Sequence, residues 1–197
     1  MRFAELDAIT VDAFGTLIGL REPVAALAGL TGRGTDEVRR AFEAEVGYYV
    51  PHSLEGRDDA SLAVLRKTCA GVFNEALGTA LAADEFVGAL EYEILDGVPE
   101  TLAALRARGL ELAVVANWDC ALPEHLERVG LASFFSAVVT SAEAGRAKPD
   151  PRPFELALAR LGIPAGRALH VGDSSEDEGG ATRVGMQFAP SPLAALL

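Results

Sequence analysis

Residues 8–17 read AITVDAFGTL, a short apolar run closed by Asp12 and, three places on, by Gly15. A run this short, ended by a glycine, is the pattern of a buried strand stopped by a tight turn. The pattern recurs at "LELAVVAN" (110–117), "SAVVTS" (136–141), "ALHVGD" (168–173) and "MQFA" (186–189). Helical spacing fills the intervals, in "PETLAALRARG", "LPEHLERVG", "DPRPFELALARLG" and "DEGGATRVG". Continuous apolar strands alternating with helices predict an α/β fold, a Rossmann-like parallel sheet with helices on both faces. The first strand has to join that sheet, because alone it has nothing to bury itself against.

Between residues 18 and 93 the strand pattern stops. "EPVAALAGL", "TDEVRRAFEAEVGYYV", "DDASLAVLRKTCAGVFNEALG" and "AADEFVGALEYEIL" all carry helical spacing, with Asp, Ser or Thr starts and Gly ends. The expected organisation is an α/β core over 1–17 and 94–197, with a helical-bundle cap inserted over 18–93.

The chain of 197 residues is half hydrophobic and carries a net charge of −12. That balance argues against nucleic acid or an anionic membrane as a partner, since both select a basic face. No run approaches the ~18 apolar residues of a spanning helix, and no basic start leads into an apolar run. A cytoplasmic location is expected. Cys69 and Cys120 lack metal-ligand spacing and read as reduced thiols, Cys120 as a buried one. Of seventeen basic residues only Lys67 and Lys148 are lysines, so a lysine here is less ordinary than an arginine.

Asp12, Asn117, Lys148 and Asp173 all fall at or just past strand ends, the edge at which open parallel sheets bind ligands. Gly15 lets the chain turn so that backbone N–H groups point at an anion beside Asp12, a nucleophile or metal ligand. Pro149 and Pro151 stiffen the segment that carries Lys148, whose compact charge suits an anionic partner. Asp173, Glu176, Asp177 and Glu178 repel one another unless screened. Mg²⁺ suits Asp173, since it takes one or two carboxylates and keeps waters. Glu176 and Glu178 read as acids at a helix N-terminus. His170 reads as a satisfied core histidine, His125 as a helix-surface residue and His52 as a cap residue able to face substrate. Tyr48 and Tyr49 read as packing residues, and Asp119 as a helix N-cap or part of the pocket mouth.

Together "VDAFGTL", "VVANWD", "AKPDP" and "VGDSSED" resemble, in order, the four motifs of the haloacid dehalogenase superfamily. The insertion after the first motif is similar to that of its helical-cap subclass. The resemblance covers essentially the whole chain. It implies a hydrolase in which Asp12 attacks a small anionic substrate to form an aspartyl intermediate, with Lys148 as its charge partner. It also implies Thr16, Asn117 and Trp118 as substrate- or phosphate-binding residues. Mg²⁺ would be held by Asp12, the Phe14 carbonyl and Asp173, with Asp177 in support.

Two positions depart from the phosphatases of the superfamily. Phe14 stands where they carry an acid–base Asp, a group worth ~10²–10⁴-fold. Ala116 stands where they carry a Ser or Thr donor. The dehalogenases do have an aromatic residue at position 14, need no metal, and use a cap arginine; Arg39, Arg40 and Arg57 are available. The favoured expectation is a Mg²⁺-dependent phosphohydrolase. The alternatives are a metal-independent 2-haloacid dehalogenase and a non-catalytic relative that binds an anion or a protein.

Overall fold

The computed structural model describes residues 5–197; residues 1–4 of the expected core lie outside it. Five parallel strands form the main sheet in the order β5-β4-β1-β6-β7. They are β1 (Ala8–Val11), β4 (Glu111–Ala116), β5 (Ala137–Thr140), β6 (Ala168–Gly172) and β7 (Gln187–Pro190). The opening stretch thus supplies the central strand, fully buried and paired with β4 on one side and β6 on the other.

Alternation along β1 distributes its side chains to two cores. Ile9 and Val11 join Leu112, Val114, Leu169 and Val171 beneath α5 (Val98–Ala107) and α6 (Leu122–Arg128). Ala8 faces the other way, with Val115, Val139, Phe154 and Ala157 beneath α8 (Arg152–Leu161) and α9 (Ser175–Arg183). Helices therefore cover both faces, as the apolar runs required.

The inserted helices are α1 (Pro23–Thr31), α2 (Thr35–His52), α3 (Asp59–Leu77) and α4 (Ala83–Gly88). Leu27, Val38, Ala41, Phe73, Leu77 and Phe86 give them a separate apolar cluster of their own. The fourth predicted helix is only partly one. It ends at Gly88, and Tyr92–Ile94 forms β3, antiparallel to β2 (Ile18–Leu20). Leu90, Tyr92 and Ile94 alternate with Glu91 and Glu93, which is strand periodicity inside an apparent helix. This ribbon packs on the core: Ile18 is buried in the main cluster, and Tyr92 and Ile94 lie against it.

One close approach sets how α9 sits on the sheet. A Cβ on Gly180 would meet Phe154 Cε2 at 2.2 Å, and Phe154 is fully buried. Alanine at a helical position favours the helix by ~1 kcal/mol over glycine, whereas forcing atoms into a packed core costs ~1–3 kcal/mol. Gly180→Ala is expected to destabilise by a net of up to ~2 kcal/mol, read as a lower denaturant midpoint at unchanged slope. A stabilised variant would show that Phe154 has room to move.

Candidate active site at the carboxyl edge of the sheet

β1 ends at Val11, directly before Asp12, whose N–H donates to the Val171 carbonyl at 2.8 Å. Gly15 follows at φ +75°, where a side chain is strained, and a Cβ there would meet Asp173 Oδ2 at 2.1 Å. The glycine thus permits the turn and lets the Asp173 carboxylate lie over it. The N–H groups of Gly15, Leu17 and Ile18 donate to the carbonyls of Ile18 and Ala13. None of these bonds uses the Phe14 carbonyl.

The Lys148 ammonium lies between two carboxylates. Nζ donates to Asp12 Oδ1 at 2.5 Å, to Asp177 Oδ1 at 2.5 Å and to the Val115 carbonyl at 3.0 Å. All three side chains are buried. Asp177 has further partners: His170 at Oδ1, and the Ser174 hydroxyl and N–H at Oδ2. His170 in turn meets the Thr10 hydroxyl through Nδ1 at 2.8 Å. A carboxylate only accepts, so the imidazole proton belongs on Nε2, and Thr10 donates to Nδ1.

Charges follow from these contacts. Burial pushes Asp12 up to about 6, with the charge of Asp177 adding to it and Lys148 pulling the other way. Burial would raise Asp177 as well, but the His170 hydrogen bond and the Lys148 ammonium hold it below the usual carboxylate range. Burial works against the Lys148 charge, yet the two acids outweigh it and raise the ammonium. Asp177 is thus the better-paired acid, and Asp12 is left with the excess.

Asp173, exposed at the rim, completes a trio with Asp12 and Asp177 whose ligand atoms all lie within 4.8 Å of one another. Three acids facing one lysine leave a net negative site of hard oxygen donors, which fits a cation such as Mg²⁺. Both Asp177 oxygens are already engaged, so Asp12 and Asp173 are the better-placed donors.

The other expected residues divide. Thr16 is buried below the turn, its Oγ1 without a hydrogen-bond partner, an atom suited to an incoming anion. The Asn117 amide is spent on the lysine segment: Lys148 N–H donates to Oδ1 at 2.7 Å and Nδ2 donates to the Lys148 carbonyl at 3.1 Å. The geometry makes it a clasp for Lys148. Trp118 is buried, its N–H bonded to Ser141. Phe14 stands half-exposed beside it, the ring centroids 6.4 Å apart.

Above this rim a cleft of about 290 Å³ opens between core and inserted helices. Phe14, Trp118, Asp119 and His125 line it from the core, Tyr92 from the ribbon, and Phe42, Glu45, Tyr49, Leu65 and Arg66 from the helices. Tyr49 donates to Asp119 Oδ2 at 2.9 Å while Oδ1 accepts from the Ala121 N–H, so Asp119 both caps locally and ties the two parts together. Tyr48 stacks instead on His52, whose Nδ1 contacts the Tyr48 carbonyl; neither lines the cleft.

Two expectations need correction. His125 is not on the helix surface but buried, 4.7 Å from the Tyr92 ring, because the unanticipated ribbon folds over α6. Cys120 is half-exposed; Cys69 is the buried thiol, pushed up to about 12 by burial and by Glu45. Arg39, Arg40 and Arg57 are exposed and absent from the cleft lining, to which Arg66 and Arg128 contribute. Arg66 follows Leu62 and Leu65 on the buried stripe of α3, so helical phase alone could have found it.

A profile of haloacid dehalogenase-like hydrolases matches residues 6–185. The chain belongs to that family. It is 35% identical over 214 aligned positions to haloacid dehalogenase-like hydrolase domain-containing protein 3 of Bos taurus, covering 96% of this chain and 84% of that one. It is also 38% identical over 117 positions to the phosphoserine phosphatase of Thermus thermophilus, covering 54% and 47%. Among solved structures, the L-2-haloacid dehalogenase of Xanthobacter autotrophicus superposes with a TM-score of 0.73 at 24% identity, covering 97% and 81%. A likeness at that identity fixes the fold and leaves open which bond is broken. Among the described residues no helix is long and apolar enough to cross a membrane.

Two predictions test these electrostatics. Lys148→Ala leaves buried Asp12 and Asp177 facing each other with no ammonium between them, a change that costs ~3–5 kcal/mol. Chemical denaturation in the absence of divalent ions should show that loss; a loss below ~1 kcal/mol would mean the pair is not buried as described. His125 is lowered from 6.5 to about 4, first by burial, then by Arg128 and Arg66. The unfolded chain binds a proton near 6.5 and the folded one only near 4, so stability falls as pH drops through that window. The difference in unfolding free energy between wild type and His125→Phe should shift by on the order of 3 kcal/mol from pH 7 to pH 4. A pH-independent difference would place His125 in water.

Proposed function

We propose that the chain is a Mg²⁺-assisted phosphohydrolase that uses Asp12 as nucleophile on a small anionic phosphate monoester, with no nucleic acid or membrane as partner. Its single strongest support is the charge at the sheet edge. Asp12 and Asp177 share the Lys148 ammonium, Asp173 offers a third carboxylate within 4.8 Å of both, and a dianionic phosphate entering there needs more positive charge than one ammonium supplies. The ion would be held by Asp12, Asp173 and the Phe14 carbonyl, with Asp177 behind them. When bound it supplies the Lewis-acid charge that offsets the phosphoryl oxygens. The free thiols at Cys69 and Cys120 suit a reducing, cytoplasmic compartment.

The residues of the chain do the rest. Lys148 holds Asp12 by Oδ1, which orients Oδ2 for attack on phosphorus. Asn117 keeps Lys148 in place by gripping its backbone. The unpartnered Thr16 hydroxyl offers a donor to a phosphoryl oxygen, a role for which Ala116 has no side-chain donor. After the leaving group departs, water attacks phosphorus and restores the Asp12 carboxylate.

A second reading, metal-free cleavage of a 2-halo acid, is favoured by the half-exposed Phe14 ring, since a halide leaves without a proton. Assays of phosphate release from acetyl phosphate and halide release from 2-chloropropionate, each with and without chelator, separate the two. The expected result is chelator-sensitive phosphate release that Asp12→Asn lowers by roughly 10³-fold or more at an intact thermal transition. Chelator-insensitive halide release alone would overturn the proposal.

A further inference from the structure

The cleft above the carboxylates is walled by rings and aliphatic chains. Trp118 lies between Phe14 and Tyr92, at centroid distances of 6.4 and 5.4 Å. Phe42, Leu65 and Phe86 face them from the inserted helices. The Phe14 ring is 47% exposed at the mouth of the nucleophile site, apolar surface that an apolar occupant would remove from water. The acids in this cleft have their own partners: Asp119 holds Tyr49 and the Ala121 N–H, and Glu45 bonds the Cys69 thiol. Arg66, Arg128 and His125 are among the few polar groups left to a ligand here, too few to replace the hydrogen bonds a polyhydroxylated substrate would lose to water.

The same ring removes a proton donor. Phe14 stands where the resemblance places an acid–base Asp and has no proton to give, so the proposed reaction favours a leaving group that is stable as an anion. An alkoxide is a poor leaving group. A phenolate, whose conjugate acid ionises near ~10, is a far better one. Shape and chemistry thus select the same class by independent routes.

Resting on the phosphohydrolase reading above, we infer that the substrates of this site are monophosphate esters of phenols or comparably acidic hydroxyl groups on an apolar, ring-bearing body. An Asp12 oxygen bonds to phosphorus as the phosphorus–aryl oxygen bond breaks, and that electron pair leaves on the phenolate. Water then attacks phosphorus, the bond to Asp12 breaks, and the carboxylate is restored. The proton shed by that water balances the one the phenolate takes up from solvent, giving phenol plus phosphate from ester plus water.

Trp118 is the only tryptophan in the chain and it lines the cleft, so its fluorescence reports occupancy without turnover. With Asp12→Asn, 2-naphthyl phosphate is expected to quench it saturably, at concentrations about ten-fold or more below any effect of glycerol phosphate. In wild type with Mg²⁺, kcat/KM for phenyl phosphate should exceed that for glycerol phosphate by on the order of 10²-fold. Across substituted phenyl phosphates it should climb steeply as the phenol becomes more acidic, and Phe14→Asp should flatten that slope.

Acetyl phosphate separates the two levels of failure. If it is hydrolysed but glycerol phosphate is turned over as well as phenyl phosphate, or naphthyl phosphate leaves Trp118 unquenched, the aryl inference is overturned alone. If acetyl phosphate and every ester resist, the phosphohydrolase reading falls and takes this inference with it.

Discussion

The molecule depends on one buried ammonium shared by two carboxylates. Taking three charged groups out of water costs several kcal/mol for each ion, and only close, multiply bonded geometry offsets it. Lys148 meets that demand with Asp12, Asp177 and the Val115 carbonyl within 3.0 Å. Each partner comes from a different part of the sheet: the end of β1, the N-terminal turn of α9 and strand β4. The lysine can be satisfied only if those elements reach the same edge in register, so the fold and the charge network specify one another.

The network also assigns unequal tasks to two chemically identical acids. Asp177 collects His170, Ser174 and Lys148, and behind it Thr10 fixes the imidazole. Burial keeps that imidazole neutral, lowered to about 4, so it acts as a dipole that steadies a charge and adds none. Asp12 has Lys148 as its side-chain partner and an oxygen directed away from it. An acid that is fully satisfied serves as foundation, and one that is partly satisfied keeps electron density for chemistry. The local environment, more than residue type, makes Asp12 the candidate nucleophile.

Much of this was legible in the chain because the sheet is parallel and buried on both faces, which prints each strand as a continuous apolar run. Those runs located Asp12 and Asp173 at a common edge, and the scarcity of lysine singled out Lys148. Other features left weaker marks. "LEYEI" is three residues of strand inside a window dominated by helical spacing, and its partner at Ile18–Leu20 lies more than seventy residues away, so local periodicity gave no hint of the pairing. His125 followed from that miss, since Tyr92 of the ribbon packs against its ring, with Trp118 beside it. Asn117 was located correctly at the edge, but whether an amide faces ligand or backbone depends on a loop thirty-one residues distant.

That division between legible and illegible has a physical origin. The charged rim is built from strand ends, whose positions the backbone hydrogen bonds of one sheet dictate, so short motifs in order are enough to recognise it. The cleft is built across a seam. Tyr49 reaches Asp119, and Cys120 N–H reaches the Gly56 carbonyl at 2.8 Å, and these side-chain and loop contacts carry no sequence period. Under the proposed function, motif likeness therefore bears on the attacking group and its charge, while the body of the substrate would meet Phe14, Trp118, Tyr92 and the facing helices. Phe14 belongs to both sets, lying two residues from the nucleophile with its ring in the cleft. Under the proposed function, a change there would alter which leaving groups can depart and which bodies can bind in the same stroke, which ties the two properties together.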